Sequence, residues 1–250
     1  MTFSGRYDGG ALSDIELAAE IADGAGRILQ SIRHGSLLED GLLGDTGDRL
    51  AQAWIARVLH RHRPHDAVLS EEAPDSSERL TSDRVWVIDP LDGTRDYAAH
   101  RPDYAVHVAL TDGKQPVHSA VSLPAMGTVY RSDTVAAPTG PLTGNLALSR
   151  SRATPGMFRV ADQLGLQPVS LGSAGVKTMA VVTGRVDVYL HAGGQYEWDS
   201  CAPVGVARAA GLHCSRLDGS ELTYNNPDPY LPDLVICRPE LADRVLSALN

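Results

Sequence analysis

Apolar residues along this chain recur at two periods, one helical and one of strand type. From Leu12 to Ile32, the positions Ile15, Ala18, Ala22, Ala25, Ile28 or Leu29, and Ile32 fall at helical spacing and predict one packed helix face. Ser13 stands as its cap, Glu16 occupies the reciprocal capping-box position, and Leu12 with Leu17 can form the hydrophobic staple. A second amphipathic face is written by Leu50, Trp54, Ile55, Val58 and Leu59. The glycine-rich passage between the two, Gly35 to Gly47, reads as a loop. Ala67-Val68-Leu69 then reads as a short strand, and Val85-Trp86-Val87-Ile88 as a buried one in which all residues but the tryptophan are β-branched. Tyr104 to Leu110, Pro116 to Leu123 and Gly127 to Arg131 continue as antiparallel strands, with Asp112-Gly113 supplying a turn.

Between Ser132 and Asn145 proline and glycine replace any sustained core period, which divides the chain into halves, 1–140 and 141–250. The second half opens on a strand, Leu146 to Ser149. Thr154 and Pro155 then cap and begin a helix that Gly165 ends. Pro168 to Leu171 predicts a strand, Val176 to Val182 a helix, and the alternating run in Arg185 to His191 another strand. A small-residue helix follows from Ser200 to Ala210, closed by Gly211. Residues 212–216 and 233–237 read as short strands and Leu241 to Leu249 as a final helix.

A length of 250 residues with 43% hydrophobic residues allows a substantial core and argues against disorder. The balance of 22 Lys+Arg against 31 Asp+Glu gives a formal net charge of -9, and no basic tract points to a nucleic-acid polymer. Neither a signal segment nor a bilayer-length apolar run is present, so a cytoplasmic location without membrane attachment is expected. Cys201, Cys214 and Cys237 lie far apart with no C-x-x-C pair, and are expected to be free thiols.

The chemistry gathers where strands end in acid. The Val85 strand runs into Asp89-Pro90-Leu91-Asp92-Gly93-Thr94, and the Ala67 strand into Ser70-Glu71-Glu72. Pro90 and Gly93 make a rigid, sharply bent backbone there. Two carboxylates aimed at one point repel unless one is protonated or a cation lies between them, and a hard divalent cation is the simplest resolution. Placing the two strands side by side would bring Glu71 to the same point. Asp48 is either the cap of the second helix or a further carboxylate for that cluster, while Asp45 reads as solvated. Asp199 is either the cap of the small-residue helix or a ligand delivered by the second half, beside Trp198, which walls the cleft or packs the core. Lys177 can reach a phosphate or lie on the surface, and Asp187 reads as scaffold. His60, His62 and His65 sit among arginines in HRHRPH and read as a solvated helix end.

Glu71-Glu72, the Asp89-to-Thr94 hexapeptide and Trp198-Asp199, in that order, resemble the inositol monophosphatase superfamily of metal-dependent phosphatases. Gly172-Ser173-x-x-x-Lys177 and Gly184-x-x-Asp187-x-Tyr189 are also similar, so the resemblance spans nearly the whole chain. It implies an α/β/α/β/α layered sandwich, the inositol monophosphatase/fructose-1,6-bisphosphatase-like fold, with the site between an amino-terminal α+β half and a carboxy-terminal α/β half. By the same resemblance Glu71, Asp89, Asp92 and Asp199 are side-chain metal ligands, Leu91 offers its backbone carbonyl, and Glu71 and Thr94 position the attacking water. Gly93 and Thr94 would meet phosphate, with Lys177 and Ser173 as further substrate contacts and Asp48 as an auxiliary catalytic carboxylate. Two or three Mg²⁺ ions, inhibition by Li⁺ and a homodimer are likewise implied. The branch most resembled is the bacterial CysQ group, whose members act on adenosine 3',5'-bisphosphate; inositol monophosphate ranks second and fructose 1,6-bisphosphate third. The chain departs from the family at Leu42 to Asp48, where a lysine and a Val-Thr pair are missing and only Asp48 matches. Haloacid-dehalogenase chemistry, with an aspartyl nucleophile, fits poorly because Asp89 and Asp92 are three positions apart around Pro90. A non-enzymatic metal-binding or interaction protein is the alternative from a different class.

Overall fold

The computed structural model describes residues 12–35 and 37–249. Helix α1 (Asp14–Gly35) begins where its cap places it, with the Glu16 carboxylate accepting from the Ser13 backbone N–H at 2.9 Å and from its hydroxyl at 2.6 Å. There follow α2 (Asp40–His62), β1 (Ala67–Ser70), β2 (Arg84–Asp92), α3 (Thr94–Ala98), β3 (Ala105–Asp112), β4 (Gln115–Leu123) and β5 (Thr128–Arg131). The rest of the chain forms β6 (Asn145–Ser149), α4 (Pro155–Leu164), β7 (Gln167–Leu171), α5 (Ala174–Val182), β8 (Val188–Tyr196), α6 (Glu197–Ala209), β9 (His213–Ser215), β10 (Tyr230–Cys237) and α7 (Ala242–Leu249).

The strands build two five-stranded sheets, ordered β1-β2-β3-β4-β5 and β7-β6-β8-β10-β9. In the first, β1 and β2 run parallel and every other pair antiparallel. In the second, β6 is parallel to β7 and β8, while β10 is antiparallel to β8 and β9. The uninterrupted apolar run of β2 has a simple cause: Trp86 and Ile88 pack with α1 and α2, whereas Val85 and Val87 pack on the opposite face with α5 and α6. A strand covered on both faces has no polar side. In the second sheet Leu146, Leu148, Val188, Leu190, Val235 and Cys237 pack with α4 and α7, and Ala147, Tyr189 and Ile236 turn toward α5 and α6. The layers are therefore α1 and α2, first sheet, α5 and α6, second sheet, α4 and α7, the α/β/α/β/α order expected. The central helices lie close on the first sheet because a Cβ at Gly205 would come within 2.1 Å of Ser119 Oγ and one at Gly175 within 2.3 Å of His107 Nε2.

The Gly35–Gly47 passage is a correction to the sequence reading. Helix α2 starts at Asp40, so Asp48 sits two turns inside it and is not a cap. A Cβ at Gly44 would meet Thr94 Cγ2 at 2.9 Å and one at Gly47 would meet Tyr97 Cε1 at 2.9 Å. Glycines three apart on one helix face act here as spacers that let α2 approach α3, and that packing demand overrides their poor helix propensity. Asp45 is exposed on the same helix, and His60, His62 and His65 lie at its solvated end as expected. Asp187 is scaffold, accepting from the backbone N–H groups of Thr143 and Gly144 at 3.0 and 2.6 Å. Cys201, Cys214 and Cys237 are free thiols. No helix among the described residues is long and apolar enough to cross a membrane.

Candidate active site

The parallel register of β1 and β2 sets Ser70 opposite Ile88, so Glu71 leaves its strand beside Asp89. Strand β2 does not stop at Ile88 but continues to Asp92, with a bulge: Asp89 pairs with His107 and Asp92 with Ala105. In a regular strand residues three apart point to opposite faces; the one extra residue of the bulge turns Asp89 and Asp92 to the same side. Pro90, which has no N–H to give a ladder, sits in that irregular stretch. Asp89 Oδ1 accepts from the Leu91 N–H at 3.0 Å. Gly93 then adopts φ 90°, where a Cβ would lie 2.7 Å from the Asp103 carbonyl, and the chain turns into α3. Thr94 Oγ1 donates to the Leu91 carbonyl at 3.1 Å.

The second sheet supplies the facing wall. Strand β8 runs to Tyr196 and α6 begins at Glu197, so Asp199 is its third residue rather than its cap, and its Oδ2 accepts from the Tyr196 N–H at 2.7 Å. Ser173, at φ 49°, caps α5; its hydroxyl donates to Asp92 Oδ2 and accepts from the Val176 N–H at 3.1 Å. Asp92 Oδ2 also accepts from the Gly175 N–H at 2.8 Å. A non-glycine residue at such a φ is strained, and here the strain fixes a carboxylate from the other sheet.

Carboxylate oxygens of Asp89, Asp92 and Asp199 lie within 4.8 Å of one another. With Glu71, Leu91, Gly93 and Thr94 they line a cavity of about 210 Å³. Burial, followed by the charges of Glu71 and Asp92, raises the Asp89 carboxyl well above its ordinary range. Burial and Asp92 push Asp199 up to about 7. Glu71 is an exposed residue with its carboxylate turned into the cleft, where desolvation and then Asp199 and Asp92 raise it to about 7. Asp48 does not line the cavity; it is buried behind Glu71 and Glu72, and desolvation with their charges lifts it to about 8.

Around this acidic floor the rim is basic. Arg95 and Arg152 are exposed, line the cavity, and form no ion pair among the described residues. Among the described residues Arg152 donates only to the Gly194 carbonyl and, from its backbone N–H, to Ser149 Oγ. Arg150, by contrast, bridges Asp96 and Asp103 and so ties the end of β6 to α3. Lys177 is not a surface residue: it is 3% exposed, and its ammonium donates to the carbonyls of Ser173 and Gly172 at 2.6 and 3.2 Å. Burial draws it down to about 8. Trp198 is half-buried against the central core and stacks on Tyr196 at 4.8 Å, 8° from parallel.

Sequence reasoning missed Arg95, Arg152, His191 and His107. His107 lies between Asp89 and Asp92 and its Nδ1 is 3.2 Å from the Trp198 carbonyl, the geometry of a donated hydrogen bond. Its signal was a lone imidazole in an otherwise apolar strand, legible only once the register set it opposite Asp89. Arg95 follows the hexapeptide directly, where a basic residue beside acidic ones invites attention; Arg152, three positions past the strand end Ser149, has no acidic neighbour in sequence to single it out.

The residues fit a hard divalent cation. The donor set is all oxygen, and Asp89 Oδ2 is buried without a hydrogen-bond partner among the described residues, an arrangement that mutual repulsion opposes unless positive charge is supplied. Known proteins agree. The sequence profile of the inositol monophosphatase family matches residues 14–250. The chain is 50% identical to a 3'-phosphoadenosine 5'-phosphate phosphatase of Mycobacterium leprae, over 96% of this chain and 94% of that one. It is 31% identical to the 3'(2'),5'-bisphosphate nucleotidase CysQ of Escherichia coli strain K12, over 74% and 80% of the two chains. The fold matches an inositol monophosphatase from Anabaena with a TM-score of 0.79 at 22% identity, covering 94% of each chain. It matches CysQ from Bacteroides thetaiotaomicron with a TM-score of 0.79 at 24% identity, covering 89% of this chain and 96% of that one. By sequence over nearly its whole length and by fold, this chain belongs to the inositol monophosphatase family of phosphatases.

Proposed function

We propose that the chain is a Mg²⁺-dependent phosphomonoesterase that removes the 3'-phosphate of adenosine 3',5'-bisphosphate, yielding AMP and phosphate. The observation that carries this is a cavity with two electrical ends, an acidic floor of Asp89, Asp92, Asp199 and Glu71 under a rim bearing the unpaired Arg95 and Arg152. A substrate with two phosphates answers both ends at once. Cations held by the floor would offset the charge of its scissile phosphate, and its second phosphate would meet guanidinium groups, which bind such anions through paired N–H donors. The small volume of the floor leaves the nucleoside at the open mouth. Relatives of half identity carry the name of the same reaction.

Asp89, Asp92 and Asp199 would hold the cations, with the Leu91 carbonyl beside them. When bound, the divalent ions supply Lewis acidity, lowering the pKa of water and offsetting charge on the phosphate and the departing oxygen. The chain itself orients the nucleophile. Because the Thr94 hydroxyl donates its proton to Leu91, its lone pairs are left to accept from a water, which the inward-turned Glu71 carboxylate holds from the other side. That water attacks phosphorus directly, giving its proton to the Glu71 carboxylate, and the 3'-oxygen leaves with the bonding pair and takes up a proton from solvent. Ser173 is occupied by Asp92 and acts on the substrate only by fixing that carboxylate, and Lys177 contributes positive charge behind it.

The deciding experiment compares kcat/KM of the purified chain, under matched Mg²⁺ and ionic strength, on adenosine 3',5'-bisphosphate, 3'-phosphoadenosine 5'-phosphosulfate, inositol monophosphate and fructose 1,6-bisphosphate. The nucleotide bisphosphate is expected to lead, with Li⁺ inhibiting. Preference for inositol monophosphate would overturn the substrate assignment.

A further inference from the structure

Arg79 lies in a 3₁₀ turn, Ser77–Thr81, that follows the Glu71-Glu72 corner, and it does not line the cavity. It is 1% exposed, yet charged. Its Nε and Nη2 grip the Asp75 carboxylate at 2.6 and 2.9 Å, while Nη1 donates to Asn225 Oδ1 at 2.8 Å and to the Asn226 carbonyl at 2.9 Å. Asn225 returns its side-chain N–H to the Arg79 carbonyl at 3.0 Å. On the far side of the two asparagines stands Glu197, also 1% exposed, whose carboxylate accepts from the Asn225 and Asn226 backbone N–H groups at 2.5 and 2.8 Å and from Asn226 Nδ2 at 2.7 Å. Lys114 Nζ closes the group on the Asn225 carbonyl at 2.6 Å. Asn225 is held at φ 56° with its polar groups engaged from three separate elements.

A buried cation and a buried anion thus face one another across a pair of asparagines, without touching. Charges buried in this way contribute little net stability, so the arrangement is better explained by what it holds in place. It joins two carboxylates carried by different elements, Glu71 just past β1 and Asp199 in the first turn of α6. Arg79 is clamped to the corner that carries Glu71, through Asp75; Glu197 opens α6, two residues before Asp199. A small octahedral cation tolerates little error in the spacing of its ligands, and both walls of the cleft must be fixed relative to each other before it binds.

We propose that Arg79, acting through Asn225, Asn226 and Glu197, is a positioning residue that sets the separation of Glu71 and Asp199 across the cleft, a role that presupposes the divalent-metal site above. The test uses the full chain and two readouts: calorimetric titration with Mn²⁺ or Mg²⁺ in the absence of substrate, and steady-state kinetics at saturating cation. Arg79→Ala is expected to weaken cation binding by about tenfold, the lower end of what losing a direct partner of a ligand costs, because Arg79 reaches Glu71 and Asp199 only through intervening residues. It should lower kcat while KM at saturating cation stays within about twofold. Arg79→Lys should not restore the affinity, because an ammonium cannot span Asp75 and Asn225 together. Asn225→Ala should weaken binding similarly, and the double variant should be no worse than the poorer single one, since both break the same chain of bonds. Val245→Ala, a cavity variant in the outermost layer, should lower the melting temperature and leave cation affinity unchanged. If wild type binds no divalent cation, the metal-site assignment itself falls. If wild type binds and folded Arg79→Ala binds equally well with unchanged kcat, the positioning role is overturned; should Arg79→Ala not fold, Asn225→Ala decides on the same terms.

Discussion

At Arg152 the guanidinium reaches over the cavity mouth to a carbonyl and meets no carboxylate among the described residues, so its charge is available to an incoming anion. Lys177 also lines the cavity, but it is 3% exposed and its ammonium is already given to two carbonyls. Arg152→Ala should therefore lower kcat/KM for adenosine 3',5'-bisphosphate by about tenfold or more, since a charge-assisted pair contributes about 1.5–3 kcal/mol. The loss on inositol monophosphate, which lacks the second phosphate, should stay under about threefold. Parallel kinetics on the two substrates check this; equal losses would remove Arg152 from the recognition of a second phosphate. At this scale the sequence was informative where chemistry and backbone coincide. Asp89, Asp92 and Gly93 were visible because proline, glycine and two acids in six positions admit few explanations. Ser173 and Lys177 were noticed for the right neighbourhood, but their partners could not be known before folding brought Asp92 to one and carbonyls to the other.

Helix α2 shows the same boundary between elements that a period announces and elements that packing decides. Gly41 and Gly47 look alike in sequence, yet a Cβ at Gly41 meets nothing within 4 Å and one at Gly47 lies 2.9 Å from the Tyr97 ring. Gly41→Ala is expected to stabilise the protein by about 0.5 kcal/mol through chain entropy. Gly47→Ala should destabilise it by about 1–2 kcal/mol, overpacking outweighing the gain in propensity. Chemical denaturation of both variants measures the contrast, and a stabilised Gly47→Ala would show that α3 yields easily. The glycine run was misread because its absence of side chains serves a neighbour 50 positions away, which local pattern does not encode. Strand β2 was read well for its core and poorly at its end: the bulge that turns Asp89 and Asp92 together depends on pairing with β3 and has no local signature beyond Pro90.

Over the whole molecule, the acidic floor makes metal-free stability depend on pH. Carboxyl groups ordinarily titrate near about 4, whereas Glu71 and Asp199 are raised to about 7, Asp48 to about 8, and Asp89 well above its normal range. The folded state therefore holds protons that the unfolded chain has already released. Stability contributed by these protonated groups is lost as pH rises from about 4 through about 8. His191, drawn down to about 4 by burial, acts in the opposite sense below its ordinary value near about 6.5, and Lys177 does so above about 8, so pH 6.5 to 8 isolates the carboxylates. In chelator the melting temperature should fall by about 5 °C or more across that window, and saturating Mg²⁺ should abolish the fall. A flat profile without cation would contradict the crowding of charge described at the site. The central helix layer carries a consequence of another kind, for the order in which the chain is made. Val85, Val87, Ala109 and Val121 of the first sheet are covered on one face only by α5 and α6. Those helices leave the ribosome well after the first sheet is complete: β5 ends at Arg131, whereas α5 ends at Val182 and α6 at Ala209. Until then the nascent chain displays an apolar sheet face to solvent, and holding it apart from other chains during that interval is a task that falls to chaperones rather than to the fold.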